Sequence, residues 1–573
     1  MRLLARSSAV CGILVALVAG VVLAPEAAAA SRRPVSAARG MVVAPEPEAA
    51  AVGLAVLRRG GTAVDAAVAT AFALAVTYPR AGNLGGGGFL LYRAPDGSHA
   101  ALDFRECAPQ ALKPALFNDA SGRIDPARSL NGGLAVGVPG TVAGLAAAHQ
   151  RWGTRPWAEL VAPAIRLAEE GVVISERTAE TLSAETVRLA ADPAAAAIFT
   201  RNGVPLREGD RLVQRDLAKT LRTIAERGAP GFYDGPVAAA IVNGIVAAGG
   251  VITLEDLARY RAIPRTPLTG TYRGRTIVTF PPPSSGGIVL LQALGMLERF
   301  DLAASGAGSA LTLHRIAEAE RRAFADRTVY LGDPEVVRVP VKGLLDPAYL
   351  AARAATIRDD RATPSSTVPP GSLPAREGTN TLHFSIADDR GGAIALTTTL
   401  NSWYGAALVA PGTGMLLNNE IDDFSLAKGV ANQFGLVGGD ANAVAGGKRP
   451  LSSMCPTIVE NPAHPARPFL VLGAPGGPTI ISSVLQTIVH VIDDGMTIQE
   501  AVDAPRIHHQ WLPDEILYEH RAFTPEVAAS LRKRGHKLTE RGPIGNVCAI
   551  GLDAEGRYTG AEDPRDEAVA AGY

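Results

Sequence analysis

The chain has 573 residues, 47% hydrophobic and 19% charged, with a formal net charge of -1. That is a soluble, globular composition with enough apolar material for a large core. The near-neutral balance gives no support to nucleic acid or an anionic membrane surface as partner.

Residues 1–30 differ from the rest. Arg2 and Arg6 precede an apolar run from Val10 to Leu23, then Pro25 and the small residues Ala27 to Ala30. This is the layout of a secretory signal peptide cut near Ala30–Ser31. An uncleaved membrane anchor is the competing reading, but the run is short for a hydrocarbon core of ~30 Å. The mature protein is therefore expected to be soluble and exported, periplasmic or secreted. With Cys11 in that segment, Cys107, Cys455 and Cys548 remain. They can form at most one internal disulfide, so packing is their expected role.

Gly53 to Tyr78 reads as a buried, alanine-rich helix. The glycines Gly85 to Gly88 follow it and open a strand. A dinucleotide loop has the opposite order, and a Walker loop needs a Gly-Lys-Ser/Thr ending, so close backbone packing is the better reading. Two strands follow around Pro95-Asp96-Gly97. Helical patterns dominate from Gly133 to about Arg227, and a long helix is expected around His314 to Tyr330. The strip from 361 to 380, rich in proline and poor in large apolar residues, reads as an exposed, poorly ordered linker. Beyond it, Leu382, Phe384 and Ile386 alternate with His383 and Ser385, the period of a half-buried strand. Asp388 to Gly392 supplies a turn and Ala393 to Asn401 a return strand. That register sets Thr381 opposite Thr399, within one residue. Strands near Met415–Asn419 and Thr457–Gly473, and a helix near Ile480–Asp494, complete the pattern. Helices and strands mix without strict alternation, so helices packed on stacked, mainly antiparallel sheets (α+β) are expected.

His508 and His509 are adjacent and point apart, and no HExxH or zinc-spaced Cys/His cluster occurs; no metal or organic cofactor is expected. There is no G-x-S-x-G elbow. Thr381 is different, because it joins the proline-rich strip to a rigid strand. A cut between Asn380 and Thr381 would free an α-amino group beside the hydroxyl, and an amine of pKa ~8 can take the hydroxyl proton near neutral pH. Nucleophile and base would then be one residue. Gly476 and Gly477, in a turn after an apolar strand, could offer backbone N–H groups to an oxyanion, although a plain β-turn is the favoured reading of these glycines taken alone. LLNNEIDDFS and KRPLSSMCP place Glu420, Asp423, Ser452 and Ser453 beside apolar runs. Carboxylates suit an ammonium, and hydroxyls with an arginine suit a carboxylate; together they describe an amino-acid pocket.

With these motifs and GNLGGGGF, LDFRE, PPPSSGG, LGDP, GLVGGDANAV, PGGPTII and PRIHHQWLPDE, in order to the terminal AGY, the chain resembles the γ-glutamyltranspeptidases of the N-terminal nucleophile hydrolase superfamily. The resemblance implies a four-layer αββα sandwich built from two self-cleaved subunits, a large one at 31–380 and a small, catalytic one at 381–573. Thr381 would be the nucleophile and Thr399 its hydrogen-bonding partner, with Gly476 and Gly477 as oxyanion donors. Arg105, Ser452 and Ser453 would bind the α-carboxylate of the glutamyl group, and Asn401, Glu420 and Asp423 its α-amino end. Phe434 would lie in a lid over the pocket. The implied activity is γ-glutamyl transfer from glutathione to water, an amino acid or a short peptide. A glutaryl-cephalosporin acylase on the same fold, or an uncleaved binding protein, are the alternatives. Leu382 stands where many members have threonine, Glu420 where some have glutamine and Phe434 where the lid often has tyrosine.

Overall fold

A computed structural model describes residues 32–369, 382–427, 432–433 and 440–573. The expected signal segment, Thr381, Phe434 and the second half of the proline-rich strip lie outside the described residues.

Two seven-stranded sheets form the centre. One runs Val569–Gly572, Met41–Ala44, Leu382–Ala387, Ala393–Thr399, Gly87–Arg93, His99–Phe104 and Ile263–Arg265. The other runs Val35–Ala37, Tyr558–Ala561, Cys548–Leu552, Leu470–Gly473, Thr457–Val459, Arg275–Thr279 and Leu268–Tyr272. Every pairing within both is antiparallel. Pro47–Arg58, Ala63–Thr77 and Thr141–Trp152 cover the outer face of the first sheet, and Gly286–Leu297 and Thr479–Ile492 that of the second. The order of layers is thus αββα.

Side-chain alternation explains the layering. Along Gly87–Arg93, Leu90 and Tyr92 join the apolar cluster under the first helices, while Phe89 and Leu91 join the cluster between the sheets. Phe89 meets Phe280 of the second sheet there, with ring centroids 4.4 Å apart. A sheet covered on both faces must be apolar on both. The helix at Ala63–Thr77 is buried along its whole length, opened by a capping box between Thr62 and Asp65. The single helix expected over Gly53–Tyr78 is two helices, because Gly60 and Gly61 and the Thr62 cap separate Pro47–Arg58 from Ala63–Thr77.

Two further expectations change. The strand at Leu382–Ala387 is buried throughout, not half-buried. Its polar face, His383 and Ser385, looks into the other sheet: His383 shares hydrogen bonds with Thr397 Oγ1 (2.8 Å) and Ser385 Oγ (3.1 Å), and Ser385 donates to the Cys548 carbonyl. Burial pushes the His383 pKa down to about 3, so the ring is neutral. The described part of the proline-rich strip is also no loose tether. Thr363 donates its N–H and hydroxyl to Glu318 at 3.0 and 2.6 Å, and Ser365 N–H donates to Asp514 at 2.7 Å. The Trp511 indole donates to the Ser365 carbonyl, and Ser365 and Val368 are buried. Polar anchoring by residues 45 and 149 positions away leaves no trace in local composition.

Candidate active site

The hairpin ladder fixes one wall. Leu382 pairs with Thr398, so Thr399 is the next residue along the return strand. Thr399 is buried beside Gly87 on its other side, and a Cβ at Gly86 would collide with the Thr399 carbonyl. The glycine run therefore serves as the surface on which this strand end packs, as its sequence context suggested. Thr399 Oγ1 accepts a hydrogen bond from Asn401 N–H at 2.8 Å. Asn401 has φ +72°, a conformation that asparagine tolerates better than most residues, and its side-chain amide donates to the Asn419 carbonyl at 2.9 Å.

The second wall is the turn after Leu470–Gly473. That strand faces the hairpin, and Gly473 lies against the His383 ring, where a side chain would not fit. The turn at Ala474–Gly477 carries φ +125° at Gly476 and +71° at Gly477. Both values favour glycine. The helix at Thr479–Ile492 starts directly behind, with no side-chain cap on its first turn, so the positive end of its dipole faces the turn. Thr399, Asn401 and Gly476 line one cleft of about 510 Å³. Gln433, in the segment preceding Phe434, lines it too and accepts a hydrogen bond from Ser402 Oγ.

The third part lies deeper. Arg105, at the end of the strand His99–Phe104, is 1% exposed. Its guanidinium donates to Glu420 and Asp423 and to the carbonyls of Pro450 (3.1 Å) and Leu451 (3.0 Å). Glu106 Oε2 stands 3.7 Å from the same guanidinium. Three buried carboxyls thus face one arginine. Burial pushes Glu420 and Asp423 well above the usual carboxylate range and Glu106 up to about 7, with Arg105 pulling each back down. Burial lowers the Arg105 pKa, but Glu420 and Asp423 outweigh that and hold it above its ordinary value. Among the described residues, Asn401 Oδ1, Glu420 Oε2 and Asp423 Oδ1 meet no N–H or hydroxyl donor, although all three residues are buried and Glu420 adjoins the carboxyls of Asp423 and Glu106.

The hydroxyls of Ser452 and Ser453 are not on Arg105. Ser452 Oγ accepts from Met454 N–H, and Ser453 Oγ accepts from Arg327 at 2.8 Å. Their segment touches Arg105 through the backbone of Pro450 and Leu451. The structure therefore brings Thr399, Asn401 and Gly476 to one cleft, and Arg105, Glu420 and Asp423 to one cluster, with Asn401–Asn419 as the link. Glu106 and Arg327 escaped the sequence reading. Glu106 adjoins Arg105 in LDFRE, but nothing in a strand-end glutamate says that it is fully buried.

A family model described as gamma-glutamyltranspeptidase matches residues 49–573. The chain belongs to this family. It is 47% identical to the glutathione hydrolase proenzyme of Escherichia coli (strain K12), over 91% of this chain and 90% of that one. Among solved structures, the cephalosporin acylase from Bacillus halodurans superposes with a TM-score of 0.84 at 29% identity, over 96% and 99% of the two chains. The gamma-glutamyltranspeptidase of Helicobacter pylori is 47% identical, with a TM-score of 0.56 over 57% of this chain and 93% of that one. The chain is thus a γ-glutamyltranspeptidase-family enzyme with the αββα fold. Among the described residues, no helix is long and apolar enough to cross a membrane.

Proposed function

We propose that the chain is an exported precursor of a γ-glutamyltransferase and glutathione hydrolase that cleaves itself before Thr381. The observation that carries this reading is the set of three buried acceptors left open, Asn401 Oδ1, Glu420 Oε2 and Asp423 Oδ1. An ammonium group has three donors and no acceptor, and its positive charge favours the ionised form of carboxyls that burial otherwise pushes toward protonation. An α-amino acid head also has a carboxylate, which Arg105 and the Ser452–Ser453 segment receive as Glu420 and Asp423 turn to the ammonium.

With the glutamyl head held there, the γ-carbonyl extends to the cleft. Thr381, freed at its amino group by cleavage, attacks that carbon; its amine takes the hydroxyl proton and passes it to the departing amine. The N–H groups of Gly476 and Gly477 stabilise the oxyanion, each donor contributing ~3 kcal/mol. The γ-glutamyl ester then passes to water or to an amine acceptor. Thr399 orients the Thr381 hydroxyl. Phe434 belongs to a lid that limits water access. The large subunit is 31–380 after loss of the signal segment, and the small one 381–573.

Intact mass under denaturing conditions tests this on wild type and Thr381→Ala. Two wild-type chains, one starting at Thr381, and a single uncut, inactive mutant are expected. One uncut chain in both would put a non-enzymatic binding role first.

The second reading, a glutaryl-cephalosporin type of acylase, is favoured by the likeness to the Bacillus halodurans acylase. It leaves the open oxygens of Glu420 and Asp423 with no ammonium to meet and both carboxyls sharing Arg105 alone. Comparing turnover of γ-glutamyl and glutaryl anilides decides between them.

A further inference from the structure

Arg80, Arg177, Arg541 and Arg565 all line the cleft, with Asp566. Three of these arginines are engaged: Arg80 with Asp566, Arg177 with Glu180, and Arg565 with Glu519 and Asp563. Arg541 is not. Its side chain is exposed at the mouth of the cleft and makes no hydrogen bond or ion pair with a described residue. Glu519 acts on it only from a distance, and that carboxylate is held by Arg565 and by the N–H groups of Arg506 and Ile544.

A second, independent observation lies five residues further on. Asn546 is 3% exposed and lines the same cleft, yet among the described residues neither its amide nitrogen nor its oxygen has a partner. An unpaired buried carboxamide is costly, and one that borders a cleft offers a donor and an acceptor to whatever enters. Gly545, with φ +72°, sets the turn that presents it beside Gly476.

We propose that Arg541 and Asn546 form a subsite on the leaving side of the scissile bond that takes the C-terminal carboxylate and peptide amide of a short peptide. This inference rests on the γ-glutamyl reading. The shared chemistry has two sources, the departing dipeptide of the donor and an incoming acceptor dipeptide. In the transfer step, the acceptor nitrogen forms a bond to the ester carbonyl carbon and the C–O bond to Thr381 breaks. The proton lost by that nitrogen ends on the Thr381 oxygen. Arg541 takes no part in these bonds; it fixes the far end of the peptide so that its amine meets the ester.

The test uses the processed enzyme. One arm compares glycylglycine with glycylglycine amide as acceptors, and the other compares glutathione with its glycine amide as donors, each as a ratio of kcat/KM. In Arg541→Gln, the carboxylate-over-amide ratio is expected to fall about tenfold in at least one arm, the loss of one charge-assisted hydrogen bond. Arg541→Lys should restore part of it, and Asn546→Ala should lower kcat/KM for both members of that arm. A fall in the acceptor arm alone assigns the subsite to the acceptor, in the donor arm alone to the leaving group. Unchanged ratios in both arms, in an enzyme that still turns over γ-glutamyl p-nitroanilide, overturn the subsite and leave the γ-glutamyl reading standing. A wild type unable to turn over that anilide overturns both.

Discussion

The two ends of the site are built from opposite charges. Around Arg105 the protein buries three carboxyls against one cation, while the cleft is lined by four arginines, three of them matched by Asp566, Glu180, Glu519 and Asp563 and one, Arg541, without a partner among the described residues. The inner cluster is buried, where an unmatched charge is expensive; Arg541 is exposed, where an unpaired guanidinium costs less, although nearby burial still lowers its pKa. A molecule with an ammonium at one end and a carboxylate at the other has a preferred direction in such a field. On the proposed reading, the same residue type, arginine, both holds the buried cluster and meets a carboxylate at 105, and would meet a second carboxylate at 541.

Breaking the inner end should have the largest effect. Arg105→Ala leaves Glu106, Glu420 and Asp423 buried without their cation, and removing one partner of such a set costs about 3–5 kcal/mol. Thermal unfolding should show a large drop in Tm; a Tm within a degree of wild type would mean that the cluster is wetter than its burial implies. Between the two ends, Gly476→Ala adds a Cβ at φ +125° that meets Thr479 Oγ1 at 2.6 Å. Displacing one oxyanion donor should reduce kcat roughly a hundredfold with little change in KM. A purely raised KM would place Gly476 in substrate binding instead.

Smaller effects sharpen the contrast. Asp423→Asn removes a carboxylate from the ammonium side and should shift the γ-glutamyl to glutaryl preference about tenfold toward glutaryl. No shift would remove Asp423 from that role. Glu106, held at about 7 from an ordinary 4.5, binds its proton more tightly in the folded chain. Its contribution is therefore present at low pH and declines as pH rises from about 4.5 to about 7. Glu106→Gln should flatten the fall in Tm between pH 5 and pH 8, and an unchanged slope would assign that fall to other groups. At the outer end, Arg541→Gln should change stability by less than about 0.5 kcal/mol, since the side chain is exposed and unpaired.

The hairpin, its turn at Asp388–Gly392 and the long helix after Ala310 were legible because period and turn chemistry are local. Two kinds of feature were not. The polar faces of buried strands, as at His383 and Ser385, look like solvent faces until the second sheet is in place. Anchors such as Glu318 on Thr363 join residues far apart in sequence and have no period at all. In the site, motif chemistry pointed to Glu420 and Asp423, and the family resemblance to Arg105. That these three pair with one another, and that Asn401 bridges them to the cleft, depends on long-range contacts of Arg105 with residues more than 300 positions away. Asn546 and Arg541 carry no motif, and only their unmet hydrogen-bonding capacity in three dimensions marks them.

The strand order has a consequence for a chain cut once at 380–381. Met41–Ala44 lies between Val569–Gly572 and Leu382–Ala387, so a strand from before the cut is hydrogen-bonded on both edges to strands from after it. Val35–Ala37 and Arg275–Thr279 attach to the other sheet's later strands in the same way. The two pieces are interleaved rather than docked, and they cannot separate without dismantling both sheets. Unfolding the cut protein turns a one-chain search into a meeting of two. Refolding of an uncut chain should be independent of dilution, whereas recovery of a cut pair should slow with it. Once made, it persists by the height of its unfolding barrier rather than by readily reversible assembly.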